Sequence, residues 1–202
     1  MEISVIVTNF NYGKFIGRCL RSLLNQSIDS SRYEIIVVDD ASTDDSREIL
    51  NAHLPSVRSI FLDTNSGLAY ASNTGIRAAR SRYIVRVDAD DYVHYDFLRT
   101  LLMGFDFFGK DFQAISLDYF NVLDSGEYLS YGDALEFPIA CAIAFKMDAL
   151  EQIGLYNSSL RLHEEVELRS RFLEEGFKIR HINLPLYRYV NHDSSLTRRA
   201  LI

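Results

Sequence analysis

Apolar, strand-like runs alternate with amphipathic helical patterns in the first part of the sequence, and this order limits the fold more than any other feature. β-Branched runs at Glu2–Thr8, Tyr33–Val38, Val57–Leu62 and Tyr83–Val87 predict four buried strands. Between the first two runs, apolar residues over 15–24 recur at the spacing of one helix face. Such a β-α-β-α order predicts an α/β protein with a doubly wound, mostly parallel sheet and right-handed crossovers.

The pattern changes beyond Asp111, where strand-like runs follow one another more closely. Ala114–Leu123 and Glu127–Tyr131 flank the turn Asp124-Ser125-Gly126, which predicts a β-hairpin. The other predicted elements are a strand at Pro138–Phe145, helices at Tyr95–Phe108, Met147–Ile153 and His163–Glu175, and extended segments at Lys178–Asn183 and Tyr187–Val190. We therefore expect a smaller antiparallel region in this half. Because no repeat or linker interrupts the chain, we predict one domain over 1–202.

The charge balance argues against binding to nucleic acid. The 202 residues carry a formal net charge of −7, and no basic block appears before the pair Arg198-Arg199. An anionic ligand would therefore need a local positive group. A bound metal ion meets this need, because a cation lets carboxylates and phosphates share one site.

The cysteines and the N-terminal residues indicate a cytoplasmic protein. Cys19 and Cys141 lie far apart in apolar contexts, which predicts two buried free thiols rather than a disulfide or a zinc site. The segment Met1–Val7 lacks the basic start and cleavage site of a signal peptide, and its apolar run is too short to cross a bilayer. Peripheral association with a membrane is left open.

Two clusters of aspartates follow two of the predicted strands. Asp39 and Asp40 end the second strand, and Asp88, Asp90 and Asp91 end the fourth. The carboxyl ends of parallel strands meet at one edge of a sheet, where ligands bind in open α/β folds. An Asp-x-Asp placed there can hold a divalent cation against a phosphate-bearing ligand. The alternative is a set of acidic turns that cap the following helices.

An ordered series of motifs resembles the family 2 glycosyltransferases of GT-A fold. The series consists of Val5-Ile6-Val7-Thr8-Asn9-Phe10-Asn11, Ile35-Ile36-Val37-Val38-Asp39-Asp40-Ala41-Ser42-Thr43-Asp44, Asn65-Ser66-Gly67, Asn73-Thr74-Gly75-Ile76, Asp88-Ala89-Asp90-Asp91, Glu164-Glu165-Val166-Glu167-Leu168 with Arg171, Gly176-Phe177-Lys178-Ile179, Pro185 and His192. Three positions depart from the family pattern, since Ala41 replaces a common Gly, Glu165 replaces the commoner Asp, and Ser72 stands where many relatives carry an Arg. The resemblance covers nearly the whole chain.

The resemblance implies that the first half of the chain, 1–110, binds a nucleotide. Thr8, Phe10 and Asn11 match the loop that meets the base, where an aromatic ring would stack on uracil or another base. Asp40 matches the acid that recognises the base edge, and Asn65 belongs to a further motif of the nucleotide site.

The resemblance also implies a site for Mn²⁺ or Mg²⁺. Asp88 matches a ribose or metal-site contact, and Asp90, with Asp91 as a second candidate, matches the cation ligand that anchors the diphosphate. His192 matches a position near the end of the chain that in some relatives reaches the metal or the diphosphate. The alternative is that His192 is an exposed histidine in a loop, without a role in the site.

The second half, 111–202, would bind the acceptor. Transfer of a sugar with inversion requires a carboxylate base, which takes the proton of the attacking hydroxyl. Glu165 is the candidate base, and Glu164 is placed beside it on the acceptor side. The alternative is that both acids only favour the first turn of a helix.

These observations predict an inverting glycosyltransferase that moves a sugar from a nucleotide-diphosphate donor, such as a UDP-sugar, to a saccharide or lipid-linked acceptor in the synthesis of surface polysaccharide. Two alternatives are a nucleotidyltransferase that makes nucleotide sugars and a non-catalytic acidic module. The first would need a basic, Gly-rich loop after the first strand, which Thr8–Gly13 does not supply. A receiver-like module would carry its acid pair after strand one, whereas here it follows strand two.

Overall fold

A computed structural model describes residues 1–53 and 55–193 of the chain, so Arg198 and Arg199 lie outside the described residues. In chain order the elements are β1 Ile3–Asn9, α1 Gly13–Leu24, β2 Tyr33–Asp39, α2 Ser46–Ala52, β3 Arg58–Phe61, α3 Leu68–Ala78, β4 Tyr83–Asp88, β5 Tyr92–Val93, α4 Phe97–Phe108, β6 Ala114–Leu123, β7 Tyr128–Gly132, β8 Ile143–Lys146, α5 Met147–Gln152, α6 Glu164–Glu174 and β9 Ile179–Asn191. The predicted alternation of strands and helices in the first half is confirmed.

Within the described residues, nine strands form one sheet. Eight of them lie in the order β3-β2-β1-β4-β8-β6-β9-β5, and β7 pairs with β6. The first four positions of this order are parallel, whereas β8 is antiparallel to both β4 and β6. The predicted class, a mostly parallel α/β sheet with a smaller antiparallel region, is therefore correct.

Apolar side chains cover both faces of the sheet, as expected for buried parallel strands. Residues Val5, Val7 and Val85 pack on one face with the stripe of α1, and Ile6, Ile36 and Ile84 pack on the other face with α3, α5 and α6. Helices on both faces leave the carboxyl edge of β1, β2 and β4 as the place where loops and polar groups gather.

Two predicted strands differ from the structure. The strand predicted from Pro138 is formed only from Ile143 onward, because Ala142 adopts a left-handed φ of 59° that interrupts the extended chain. The two segments predicted around Pro185 form one strand, β9. Pro185 has no backbone N–H to donate to a neighbouring strand. It is tolerated in β9 because the register of β9 against β6 shifts at Asp118, opposite Pro185, so that no hydrogen bond between the strands is lost there.

The prediction of two buried free thiols is confirmed, since Cys19 and Cys141 are both free and buried. Among the described residues, the helices are all too short or too polar to cross a bilayer.

Candidate active site

Strand β1 places the two aspartate clusters at one edge of the sheet. In the parallel ladders, Asn9 at the end of β1 stands opposite Asp39, and Thr8 stands opposite both Val38 and Asp88. One strand therefore separates the ends of β2 and β4. The predicted convergence of two acidic strand ends is observed.

The loop after β1 is tied to the loop after β2. The amide of Asn9 donates to the buried Asp39 carboxylate at 2.8 Å and to Ser42 Oγ at 3.1 Å. Asn11 Oδ1 accepts the backbone N–H of Thr43 at 2.8 Å. Between them, Ala41 has a φ of 64°, the left-handed conformation that favours the glycine common in the family. Asp39 and Asn11 thus shape the loops around the site.

Asp40 is 4% exposed and holds the loop before α3 against the loops after β1 and β2. Its carboxylate oxygens accept the backbone N–H groups of Ser66 and Gly67, both at 2.8 Å. Asn65 is exposed on the same loop. Phe10 is 41% exposed on the loop after β1, whereas Thr8 is 7% exposed. An exposed aromatic ring at a ligand-binding edge offers a flat surface on which a base can stack.

Asp90 and His192 lie in contact. His192 Nε2 is 2.9 Å from Asp90 Oδ2. His192 itself is only 9% exposed, and its ring centroid lies 4.4 Å from that of Phe15. The alternative of an exposed loop histidine is therefore wrong. The pKa of Asp90 is raised above its ordinary value, mainly by burial. The hydrogen bond to His192 opposes this shift, and the charge of Asp88 adds to it.

The residues at this point fit a divalent cation. Asp88 Oδ1 is buried and, among the described residues, has no hydrogen-bond partner, although Arg86 Nε lies 3.2 Å away. Carboxylate oxygens together with one imidazole nitrogen are a donor set that suits Mn²⁺ and, for the oxygens, Mg²⁺. Asp90 and His192, which are in contact, and Asp88 at the end of the same strand are thus the groups that could hold the ion.

The contacts of Asp91 differ from those of Asp90. It is 2% exposed, and its two oxygens accept the hydroxyl of Tyr187 at 2.6 Å and the backbone N–H of Val190 at 2.8 Å. Burial, followed by the charges of Asp90 and Asp88, raises its pKa well above the usual range. Asp91 therefore fastens the loop after β4 to β9, and the geometry favours Asp90 over Asp91 as the cation ligand.

The acceptor-side acids lie at the start of α6. Glu165 is half-buried and lines an open pocket with about 460 Å³ of empty volume, together with Ile139, Tyr156 and Arg169. Glu164 is 3% exposed and turns away from water; burial raises its pKa, and the nearby charge of Arg86 lowers it. The two neighbouring acids therefore have different environments.

Three residues that shape this site were not identified from the sequence as site residues. The sequence patterns place Tyr187 only in an extended segment, Asn9 in the first motif of the family series, and Arg86 in an apolar strand. An arginine inside a run of β-branched residues was the available signal, because a buried charge requires a partner.

The sequence was also compared with known protein families and solved structures. The model of "Glycosyl transferase family 2" matches residues 4–154. The chain belongs to this family. It is a glycosyltransferase, and the alternatives of a nucleotidyltransferase and of a non-catalytic module are set aside.

One relative and two solved structures illustrate the similarity. A putative teichuronic acid biosynthesis glycosyltransferase, TuaG of Bacillus subtilis, is 30% identical, over 96% of this chain and 81% of its own. S. aureus TarS 1-349 in complex with UDP-GlcNAc has a TM-score of 0.85 at 19% identity, over 96% of this chain and 60% of that one. The mannosyltransferase PcManGT from Pyrobaculum calidifontis, in complex with GDP-Man and Mn²⁺, has a TM-score of 0.73 at 20% identity, over 99% and 59%. The structural matches show that the fold is of the GT-A type.

Proposed function

We propose that this glycosyltransferase moves a sugar, with inversion, from a nucleotide-diphosphate donor to a hydroxyl of a saccharide or lipid-linked acceptor in the assembly of surface polysaccharide. The observation that supports the proposal is the contact between Asp90 and His192 just after β4, at the same sheet edge as Asp40. A UDP-sugar is the proposed donor, because the TarS complex contains UDP-GlcNAc. A cytoplasmic location and peripheral membrane association stay predictions.

The donor would lie along the edge formed by β2, β1 and β4. Phe10 would stack on the base and Asp40 would accept from its edge, with Thr8, Asn11 and Asn65 shaping the surrounding loops. Asp90 and His192, with Asp88, would hold Mn²⁺ or Mg²⁺. When bound, such an ion would neutralise charge on the departing diphosphate.

Glu165 is the proposed base. Glu165 lines the open pocket, where its carboxylate would accept the proton of the acceptor hydroxyl while that oxygen attacks the anomeric carbon opposite the leaving group. Glu164 is buried at the same helix end and is proposed to place Glu165 rather than to take the proton. The half of the chain from 111 to 202 would thus bind the acceptor, and 1–110 the donor.

Thermal unfolding with UDP, GDP or CDP, each with and without Mn²⁺, tests the donor site. A ligand at a hundredfold excess over its Kd stabilises the native state by about 2.7 kcal/mol. We expect UDP with Mn²⁺ to raise the Tm more than either alone, and Asp90→Ala to abolish this synergy. Asp106→Ala, an exposed position on α4, is the control. Equal shifts of the Tm by UDP with and without Mn²⁺ would contradict the proposal that a metal ion takes part in donor binding.

Release of UDP from a panel of UDP-sugars tests the base. Glu165→Gln should keep UDP binding and lower turnover by roughly 10²–10⁴-fold, the usual contribution of a general base. Glu174→Gln, an exposed acid at the other end of α6, should turn over like wild type. Full turnover by Glu165→Gln would remove this residue from the mechanism.

A further inference from the structure

Arg86 is a buried arginine in the middle of the molecule. It lies on β4, two residues before Asp88, and its side chain is 5% exposed. The neighbouring positions Ile84, Val85 and Val87 are apolar and buried. A charged group in such surroundings is costly unless it is paired.

The guanidinium reaches carboxylates of both halves of the site. Arg86 Nε lies 3.2 Å from Asp88 Oδ1, and Nη1 lies 3.6 Å from Oε1 of Glu164. The group also lies 5.5 Å from the ring centroid of Tyr156. Burial disfavours the charged form, but Asp88, Tyr156 and Glu164 around it hold the pKa of Arg86 well above its usual value. Arg86 is therefore a permanent cation between two acids.

The start of α6 lacks an ordinary cap. His163, the residue before the helix, has a left-handed φ of 61°, and its side chain makes no capping hydrogen bond. Glu164 is the first residue of the helix, and its carboxylate is turned inward to Arg86. The ion pair therefore supplies a fixed point for a helix end that carries the proposed base, Glu165.

We propose that Arg86 is a positioning residue that links the donor edge at Asp88 to the start of α6, and so sets the place of Glu165 relative to the donor. The inference rests on the proposed function. Arg86 would not touch the reacting atoms. It would act through Asp88 and Glu164. A displacement of about 1 Å between reacting groups can cost on the order of 10²-fold in rate.

The test compares Arg86→Met with wild type in two measurements: UDP affinity by calorimetry with Mn²⁺, and turnover at saturating UDP-sugar. We expect turnover to fall by about 10²-fold while the Kd for UDP changes by only a few-fold. The matched control is Arg82→Met, whose 62%-exposed side chain pairs with Glu2 at 3.4 Å. This control should behave like wild type in both measurements.

Two further variants keep the test decisive if Arg86→Met does not fold. Arg86→Lys keeps the charge but is a point donor that cannot bridge two carboxylates, so it should also lose turnover. The double variant Arg86→Met with Glu164→Gln removes both charges; it should be no slower than the slower single variant, because both act through one contact.

Three results would overturn the inference: wild-type turnover by Arg86→Met or Arg86→Lys, a fall in turnover matched by an equal fall in UDP affinity, or independent effects of Arg86 and Glu164 in the double variant. A wild-type protein that binds no UDP and releases none would instead overturn the proposed function. In that case thermal unfolding of wild type, Arg86→Met, Glu164→Gln and the double variant still measures the link between Arg86 and Glu164, and additive changes in Tm would overturn it.

Discussion

Replacing Tyr187 with Phe removes one hydroxyl from beside the aspartates at the end of β4 and leaves the ring in place. This hydroxyl donates to Asp91 Oδ2 at 2.6 Å and accepts the backbone N–H of Asp88 at 3.2 Å. Tyr187 is fully buried and Asp91 is 2% exposed, so water cannot readily replace the lost partner. The change should therefore destabilise the native state.

The expected size follows from the chemistry of these bonds. Leaving a buried donor or acceptor without its partner costs about 1–3 kcal/mol, and a chain of 150–250 residues loses roughly 2–4 °C of Tm per kcal/mol. We expect Tyr187→Phe to lower the Tm by about 2–12 °C. Turnover should fall as well, because Asp91 fastens the loop that carries Asp90.

The pH dependence gives a second check. Burial raises the pKa of Asp91 well above its usual range, and the Tyr187 hydroxyl favours the ionised form. The stability contributed by this bond is therefore largest above the native pKa of Asp91 and shrinks as pH falls through it. The difference in Tm between wild type and Tyr187→Phe should narrow toward acid pH.

Thermal unfolding followed by circular dichroism suits this protein, because the sequence contains no Trp for fluorescence. Tyr70→Phe, at a residue that is 44% exposed, is the matched control and should melt with wild type. The reasoning is refuted if Tyr187→Phe also melts with wild type, or if its deficit does not depend on pH.

Three further predictions concern parts of the molecule away from Tyr187. Arg171→Met should lower the Tm by several degrees, because it removes hydrogen bonds to the backbone carbonyls of Ile153 and Leu155 as well as the ion pair with Glu167. Arg171→Lys should restore only part of the loss. Tyr131 donates to Asp118, which raises the pKa of Tyr131 to about 12, so ultraviolet titration of Tyr131→Phe should lack one late-ionising phenol, and the stability from this bond should be lost as pH rises through that value. Ala41→Gly should raise the Tm slightly, because relief of a left-handed φ of 64°, about 1–2 kcal/mol, exceeds the entropic cost of glycine, about 0.5–1 kcal/mol; a lower Tm would contradict the assigned strain.

Much of the fold could be predicted from local sequence. The β-branched runs around Val5, Ile36 and Val85 have the length and composition of buried strands, and the acids that follow them could be placed at one edge from the parallel topology alone. The assignment of roles to Phe10 and Asp40 needed the family resemblance, because an exposed ring and a buried acid have many uses.

The remaining parts depended on contacts between distant residues. His192 and Asp90 are 102 positions apart, and no local pattern distinguishes a buried partner of an acid from a loop histidine. The strand predicted at Pro138 was too long because apolar composition does not reveal the positive φ of Ala142. The role of Arg86 was missed for the same reason as that of His192, since Glu164 and Tyr156, which lie beside its guanidinium, are distant in sequence.

Strand β9 and the residue that follows it bring Tyr187 and His192 to the acids that follow β4. On the ribosome, the four parallel strands would emerge long before these two side chains. A partly synthesised chain would therefore expose Asp90 and Asp91 without His192 and Tyr187, the partners that they contact in the finished fold. Under the proposed function, a cation could be held by Asp90 and His192 only after translation has passed His192, so the parallel strands could form before the proposed metal site exists.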